Sequence, residues 1–258
     1  MRPPLTLSAM ENLVVVSGAS RGIGLAFTSQ LLRRTGATVI ATSRSGGSAA
    51  LSELSDEYPG RVLSMQCDVT DQTQTKALAS RVKAENRGKV ELVLNVAGLL
   101  HDAGDGGTGY MPERSLASID AAAMSKVLAV NAIGPVLMTQ AFAPQLTRGA
   151  IVANLSARVG SIGDNRLGGW WSYRMSKAAL NMATMNMANE LRRRDVYAVA
   201  LHPGTTDTGL SEPFQKNVVP EKLFTAEYST GAMLDVLDSL GTDDSGSFFA
   251  YDGSRIEF

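Results

Sequence analysis

Tyr173 and Lys177 stand four residues apart in SYRMSKAALNMATMNMANELRRR, the stretch from Ser172 to Arg194. Its Ala, Leu and Met content predicts a helix, and residues four apart share one helix face. A free phenol has a pKa of about 10, so it is a poor acid or base at neutral pH. Lowering it by about three units takes roughly 4 kcal/mol. One cation about 4 Å away, in an effective dielectric of about 20, supplies that much. Lys177 is spaced to be that cation, and the pair then describes a proton donor and acceptor. Taken alone, it better describes a buried tyrosine beside a lysine that runs its stem along apolar surface.

A second group of residues suits a phosphate. VVVSGASRGIGLAF places glycines at 18, 22 and 24, after a short apolar run. Gly18 suits a tight turn, while Gly22 and Gly24 let backbone approach a pyrophosphate and let a helix pack on a sheet. The N–H groups at the start of that helix would face the phosphates. The plainer reading is an ordinary strand–helix turn. Position in the first strand–helix unit favours the dinucleotide.

The elements that must carry these residues alternate between two periods. Leu13–Val16, Ala37–Ala41, Arg61–Gln66, Val90–Val96, Ala150–Leu155, Val196–Leu201 and Ser247–Tyr251 are short and largely apolar, as in strands buried on both faces. Helical spacing covers Ile23–Arg34, Ala49–Tyr58, Gln72–Asn86, Leu116–Leu146, Tyr173–Arg194 and Thr225–Leu240. Such alternation predicts parallel pairing with right-handed crossovers. The expected fold is α/β, a Rossmann-type doubly wound parallel sheet of about seven strands with helices on both faces. No linker, repeat or low-complexity segment divides the chain. One domain is expected over 1–258, with a dinucleotide-binding half at 11–155 and a catalytic and substrate-binding half at 156–258. The glycine-rich loop Leu99–Gly109 and the segment Thr205–Phe224 are the irregular parts. Both follow strands, on the side where ligands bind in such sheets.

Composition narrows the classes. Of 258 residues, 44% are apolar, enough for a sizeable core, and the net charge is −1. No basic surface suggests nucleic acid or an anionic membrane. Cys67 is the one cysteine, so no intrachain disulfide forms, which fits a reducing compartment and a cytoplasmic location. No consecutive apolar run approaches the ~18 residues of a membrane span. The opening MRPPLTLSAM has one Arg and no hydrophobic segment, so no secretory signal is expected.

SGASRGIG at 17–24, NVAG at 95–98, Asn131, Ser156, Tyr173-x-x-x-Lys177 and HPG at 202–204 together resemble the short-chain dehydrogenase/reductase family. Their order and spacing match along nearly the whole chain. GSIGDNRLGGWWSYRMSKAALNM and the ending GSFFAYDGSRIEF resemble its C-factor-like branch, near the sniffer-type carbonyl reductases. The resemblance implies that Tyr173 gives a proton to a carbonyl oxygen in reduction and takes it back in reverse. Lys177 would both lower the phenol pKa and bind the nicotinamide ribose. It makes Ser156 a second donor to the substrate oxygen and gives Asn131 a water in a proton relay to Lys177. Without the resemblance, Ser156 reads as a turn former at a strand end and Asn131 as a solvent-facing residue at a kink before Gly134-Pro135.

For the cofactor, the resemblance assigns Gly18, Ser20, Arg21, Gly22, Ile23 and Gly24 to the phosphate turn. Asp68 and Val69 would hold the adenine. Asn95, Ala97 and Gly98 would floor the adenosine side and brace the sheet. Pro203, Gly204, Thr206 and Thr208 would sit at the nicotinamide carboxamide, although the family more often has an aliphatic residue at 206. Asp68 reads equally as a turn residue before the helix at 72. The second strand ends TVIATSRSG. NAD enzymes usually place a carboxylate there to bind the ribose hydroxyls, which repels a 2′-phosphate. Ser43 is neutral, Arg44 follows, and Arg21 stands in the glycine turn. Two guanidiniums suit a phosphate dianion, so NADP(H) is the expected cofactor.

The remaining features read as bland. His101 and His202 lack metal-ligand spacing with Cys67 or nearby carboxylates, so no metal is expected. Met175, Met182, Met185 and Met187 fall on several sides of their helix, which is then buried on most sides. The family often pairs such helices between subunits, so a homodimer or homotetramer is expected. Trp170 and Trp171 either wall a substrate pocket or cover the sheet. Two functions stand side by side. One is reduction of a small or medium apolar aldehyde or ketone, or the reverse oxidation. The other is a dinucleotide-binding signalling or regulatory protein, and the complete catalytic set argues for the enzyme.

Overall fold

The computed structural model describes residues 3–85, 88–102 and 109–258. The expected helix end at Asn86 and most of the glycine-rich loop, 103–108, lie outside the described residues. The chain alternates strand and helix: β1 (Leu13–Ser17), α1 (Gly22–Arg34), β2 (Thr38–Ser43), α2 (Ala49–Glu57), β3 (Val62–Gln66), α3 (Gln72–Ala84) and β4 (Val90–Asn95). Then come α4 (Ala121–Leu128), α5 (Gly134–Phe142), β5 (Leu146–Leu155), α6 (Trp171–Leu191) and β6 (Tyr197–His202). The short strands β7 (Thr205–Thr206) and β8 (Leu223–Phe224) precede α7 (Ala226–Asp238) and β9 (Phe248–Ala250).

Seven strands form one parallel sheet in the order β3-β2-β1-β4-β5-β6-β9. The order reverses beside β1, so the ends of β1 and β4 open a crevice where ligands bind in such sheets. Alternate residues of a strand point to opposite faces. Val14 and Val16 therefore pack with Phe27 and Leu31 of α1 and Leu234 of α7. Leu13 and Val15 pack with Leu78, Phe142 and Leu191 of α3, α5 and α6. Each fully buried Leu, Val or Phe contributes roughly 1.5–3 kcal/mol from apolar burial. With both faces covered, the strands read as unbroken apolar runs.

The expected helix Leu116–Leu146 differs most from what forms. A single 3-10 turn, Leu116–Ser118, is followed by α4, which starts only at Ala121 because Asp120 caps it (Ala123 N–H to Oδ1, 2.7 Å). Ala129–Ile133 is a π-helical turn between α4 and α5, and Ala143–Gln145 closes as a 3-10 turn. Strand β5 then begins at Leu146, four residues before the expected Ala150. Ala121–Gln145 is a 25-residue helical run whose mean hydropathy of 1.5 would suffice for a membrane span, which the count of consecutive apolar residues does not register. Its buried side, including Val127, Ala132, Met138 and Phe142, packs in the core.

Candidate active site

One cavity of about 840 Å³ runs along the carboxyl ends of the strands. A shallower hollow of about 420 Å³ at Arg192, Arg193, Thr242 and Asp243 holds none of the sequence-predicted residues.

The cavity begins at the β1–α1 turn. Gly18 has φ +70°, and a Cβ there would stand 2.8 Å from the Ala97 Cα, so only glycine lets the turn pass the end of β4. A Cβ at Gly24 would fall 2.2 Å from the Gly18 carbonyl oxygen, so α1 starts flush against the turn. Residues Asp71, Asp120 and Thr225 cap α3, α4 and α7 with their side chains, but α1 has no such cap. Its first N–H groups are therefore left for a ligand in the cavity, which Gly18, Ser20, Arg21, Gly22, Ile23 and Gly24 all line.

Ser43 and Arg44 line the next portion with Asp68, Val69, Ala97 and Gly98. Arg21 and Arg44 are exposed, and neither guanidinium forms a hydrogen bond or ion pair among the described residues. Ser43 is buried, with its hydroxyl 3.2 Å from that of Ser45. Asp68 combines both sequence readings: it lines the cavity, and its Oδ1 accepts from the Thr70 N–H and hydroxyl at 2.9 and 2.7 Å. The α3 cap itself is Asp71. Asn95 is not brought to the cavity. It points beneath the sheet and donates to Asn154 Oδ1 at 2.8 Å, Thr139 Oγ1 at 3.2 Å and the Pro135 carbonyl at 3.4 Å, so it braces β4 against β5 and α5.

Ser156, Tyr173 and Lys177 line the same cavity with Pro203, Gly204, Thr206 and Thr208, and Thr208 also borders the glycine turn, where a Cβ at Gly22 would stand 3.4 Å from its Cγ2. Lys177 Nζ donates to the Leu155 carbonyl at 2.7 Å and lies 5.6 Å from the Tyr173 ring centroid. Burial pushes the Tyr173 phenol above its usual range and draws the Lys177 ammonium down to about 7. For both groups desolvation outweighs the attraction expected of this pair. Ser156 Oγ donates to Asn181 Oδ1 at 2.6 Å. The hydroxyl of Thr206 turns inward to the Pro203 carbonyl and Ser229 Oγ, and its own carbonyl accepts the Ser211 hydroxyl.

Asn131 is wholly buried rather than solvent-facing. Its Oδ1 accepts the Leu99 N–H at 2.7 Å, and its Nδ2 donates to the Leu99 carbonyl at 2.8 Å and to Ser176 Oγ at 3.0 Å. Both amide protons are thereby used. Pro135 has no N–H, so the Asn131 carbonyl loses the donor that residue i+4 normally supplies, and the π turn forms at that gap.

Several residues were not legible as site components. Glu113 lies 59 residues before Ser172, yet its carboxylate accepts the Ser172 N–H at 3.1 Å and the Ser172 hydroxyl, capping α6 from outside. Trp170, in the left-handed region at φ 48°, donates its N–H to the Glu113 carbonyl. Its ring lies edge-on to Phe214 at 4.9 Å and to Tyr173 at 6.2 Å, so Trp170 walls the cavity while Trp171 is 38% exposed. The segment 205–224 is pinned at its two ends by the β7–β8 pair and crossed by His101, whose Nε2 is 3.2 Å from the Gly209 carbonyl oxygen. An Asn inside an apolar helix was the available signal for Asn181, because it repeats the four-residue step from Tyr173 and Lys177.

Comparison with known proteins agrees with this geometry. The short chain dehydrogenase family model matches residues 12–218. A 1-hydroxy-2-glutathionyl-2-methyl-3-butene dehydrogenase of Rhodococcus sp. (strain AD45) is 32% identical over 245 residues, 95% of this chain and 99% of that protein. C-signal of Myxococcus xanthus is 39% identical over 144 residues, 55% of this chain and 82% of that one. The NADPH-bound carbonyl reductase from chicken fatty liver superposes with a TM-score of 0.83 at 32% identity, over 96% of this chain and 99% of that chain. With its sheet order, uncapped glycine turn and Ser156–Tyr173–Lys177 cluster, the chain belongs to the short-chain dehydrogenase family, in which it is similar to C-signal and to carbonyl reductases.

Proposed function

We propose that this protein is an NADP(H)-dependent carbonyl reductase in which Tyr173 is the general acid and base. The observation that carries the reading is the continuity of one cavity. It joins Ser156, Tyr173 and Lys177 at one end to an uncapped helix start and two uncommitted arginines at the other. The residues fit a dinucleotide phosphate. The turn at Gly18 and Gly24 has no room for side chains, and the strand end at Ser43 carries no carboxylate. The bound nicotinamide would supply or accept the hydride.

The chain's own residues handle the proton. Tyr173 donates from its phenol to the carbonyl oxygen, and Lys177, held on Leu155, faces the same space with a charge that favours the phenolate left behind. The proton that restores Tyr173 would come from a water on the Asn131 carbonyl by way of Lys177; the side-chain amide of Asn131 is already committed to Leu99 and Ser176. Trp170, Phe214, Leu210 and Val218 give the substrate end an apolar wall, which suits an apolar aldehyde or ketone. A panel of aldehydes, ketones and diketones with NADPH, followed by loss of cofactor absorbance, tests the reading. No oxidation with any of them would overturn it. That outcome would favour a dinucleotide-binding signalling role, to which the similarity to C-signal points.

We also infer a homodimer or homotetramer. Met175, Met182 and Met185 of α6 are 45%, 64% and 36% exposed, and Ile133 and Val136 nearby are 52% and 41% exposed. This apolar surface is suited to a second subunit, and light scattering reads the mass.

A further inference from the structure

The proton of Ser156 is already engaged. Ser156 Oγ donates to Asn181 Oδ1 at 2.6 Å, with the two residues only 2% and 3% exposed. A hydroxyl has one proton, so Ser156 cannot donate to Asn181 and to a substrate carbonyl at once. Which way the Asn181 amide faces follows from its other end. Its Nδ2 donates to the Gly160 carbonyl at 3.4 Å. Turning the amide over would set two acceptors against each other there. The Gly160 turn has no room to yield, because even a Cβ at Gly160 would stand 2.6 Å from Lys177 Cβ. Asn is unfavourable in a helix interior. Here it sits one turn beyond Lys177 and two beyond Tyr173 on α6, and both ends of its amide are paired.

We propose that Asn181 is a positioning residue for the reaction, holding the Ser156 proton until the substrate oxygen becomes the stronger acceptor. This rests on the carbonyl reductase reading above. An amide oxygen, enriched by its nitrogen lone pair, is a stronger acceptor than an aldehyde or ketone oxygen, so in the substrate complex the Ser156 proton stays on Asn181. An oxygen that gains negative charge during hydride transfer accepts hydrogen bonds roughly twice as strongly. The Ser156 hydroxyl then swings from Asn181 to that oxygen, and swings back as the oxygen is protonated by Tyr173. No bond beyond these hydrogen bonds forms or breaks. Asn181 thereby keeps the Ser156 contact out of the ground state and delivers it in the transition state, where it raises the rate.

The test is a double-mutant cycle with Asn181→Leu and Ser156→Ala, read as kcat and KM of the holoenzyme for one carbonyl substrate under saturating NADPH. Freed from Asn181, the Ser156 proton binds the ground-state carbonyl. Both KM and kcat should then fall, each by about two- to tenfold, the range of one ordinary hydrogen bond. In the Ser156→Ala background, Asn181→Leu should change neither. A KM that rises or stays the same, or an equal effect of Asn181→Leu in both backgrounds, would assign Asn181 to packing alone and overturn the proposal. If Asn181→Leu does not fold, Asn181→Ala removes the same acceptor and enters the same cycle. If the wild type turns over no carbonyl, the carbonyl reductase reading has failed, and crystals then decide on Asn181. A single Ser156 rotamer in the wild type that splits in the variant supports the positioning role. The same single rotamer in both overturns it.

Discussion

Lys177 and Leu155 are joined by a 2.7 Å hydrogen bond from the ammonium to the main-chain carbonyl, which ties α6 to the end of β5 one residue before Ser156. Two of the three side chains proposed to react are thus set by one contact between a helix and a strand. Burial holds the ammonium at about 7, so it is charged below that pH and neutral above it. A neutral Lys177 no longer favours the Tyr173 phenolate. Reduction measured as kcat/KM should therefore fall as pH rises through about 7. Lys177→Met should slow turnover, weaken NADPH and flatten that limb in whatever activity is left. An unchanged limb would remove Lys177 from the tuning of Tyr173, and an unchanged NADPH affinity would remove its ribose contact.

The Tyr173 phenol forms no hydrogen bond with the described residues. Tyr173→Phe deletes an oxygen that supports nothing else in the fold. We expect turnover to fall by about 10²–10⁴-fold, the usual worth of a general acid, with the melting temperature and NADPH affinity nearly unchanged. Activity within tenfold of wild type would sink the assignment.

Arg44 is exposed at the cavity edge beside a neutral strand end. A charge-assisted hydrogen bond contributes about 1.5–3 kcal/mol. Arg44→Ala should therefore weaken NADPH by roughly tenfold or more and leave NADH nearly as it was. The ratio of kcat/KM for the two cofactors reads this directly. A wild type that prefers NADH, or a mutant that loses both equally, would overturn NADP(H) selection.

Glu113 caps α6 through the Ser172 N–H and hydroxyl. Glu113→Ala would leave buried donors unpaired at the helix start, a cost of about 1–3 kcal/mol. For a chain of this size that lowers the melting temperature by about 2–12 °C. Because Tyr173 is the next residue, activity should fall as well. A melting curve that superposes on wild type would show that water replaces the carboxylate.

His202 ends β6 with its Nδ1 buried and unpartnered among the described residues. Burial, helped by Arg158 and opposed by Asp252, pushes its pKa down to about 4. The unfolded chain takes up this proton near pH 6.5, before the folded one does. The contribution of the neutral ring is thus complete above about pH 6.5 and is lost progressively as pH falls toward about 4. By pH 5 the loss attributable to His202 should be about 2 kcal/mol. Urea unfolding of wild type and His202→Asn at pH 7 and pH 5 isolates it from the carboxylates. An equal acid loss in both proteins would contradict it.

What the chain declares locally, it declares in its sequence. Tyr173 and Lys177 meet because a helix brings every fourth residue round to one face. Gly18 and Gly24 stand where backbone must pass without side chains. The valines of β1 and β4 are apolar on both faces because helices cover both. Even the Asp120 cap was written before Ala121, although hydropathy alone extended that helix back to Leu116. What depends on which surfaces meet was decided by the fold. Glu113 reaches Ser172 across 59 residues, Asn131 grips Leu99 across 32, and Asn181 takes the Ser156 proton across 25. Asn95 was expected both to floor the adenosine side and to brace the sheet, and only the placing of Asn154 and Thr139 against it left the bracing role alone. The tuning of Tyr173 belongs to this second kind: spacing put a cation on its helix face, but burial, a property of the packed molecule, decided which way both pKa values moved.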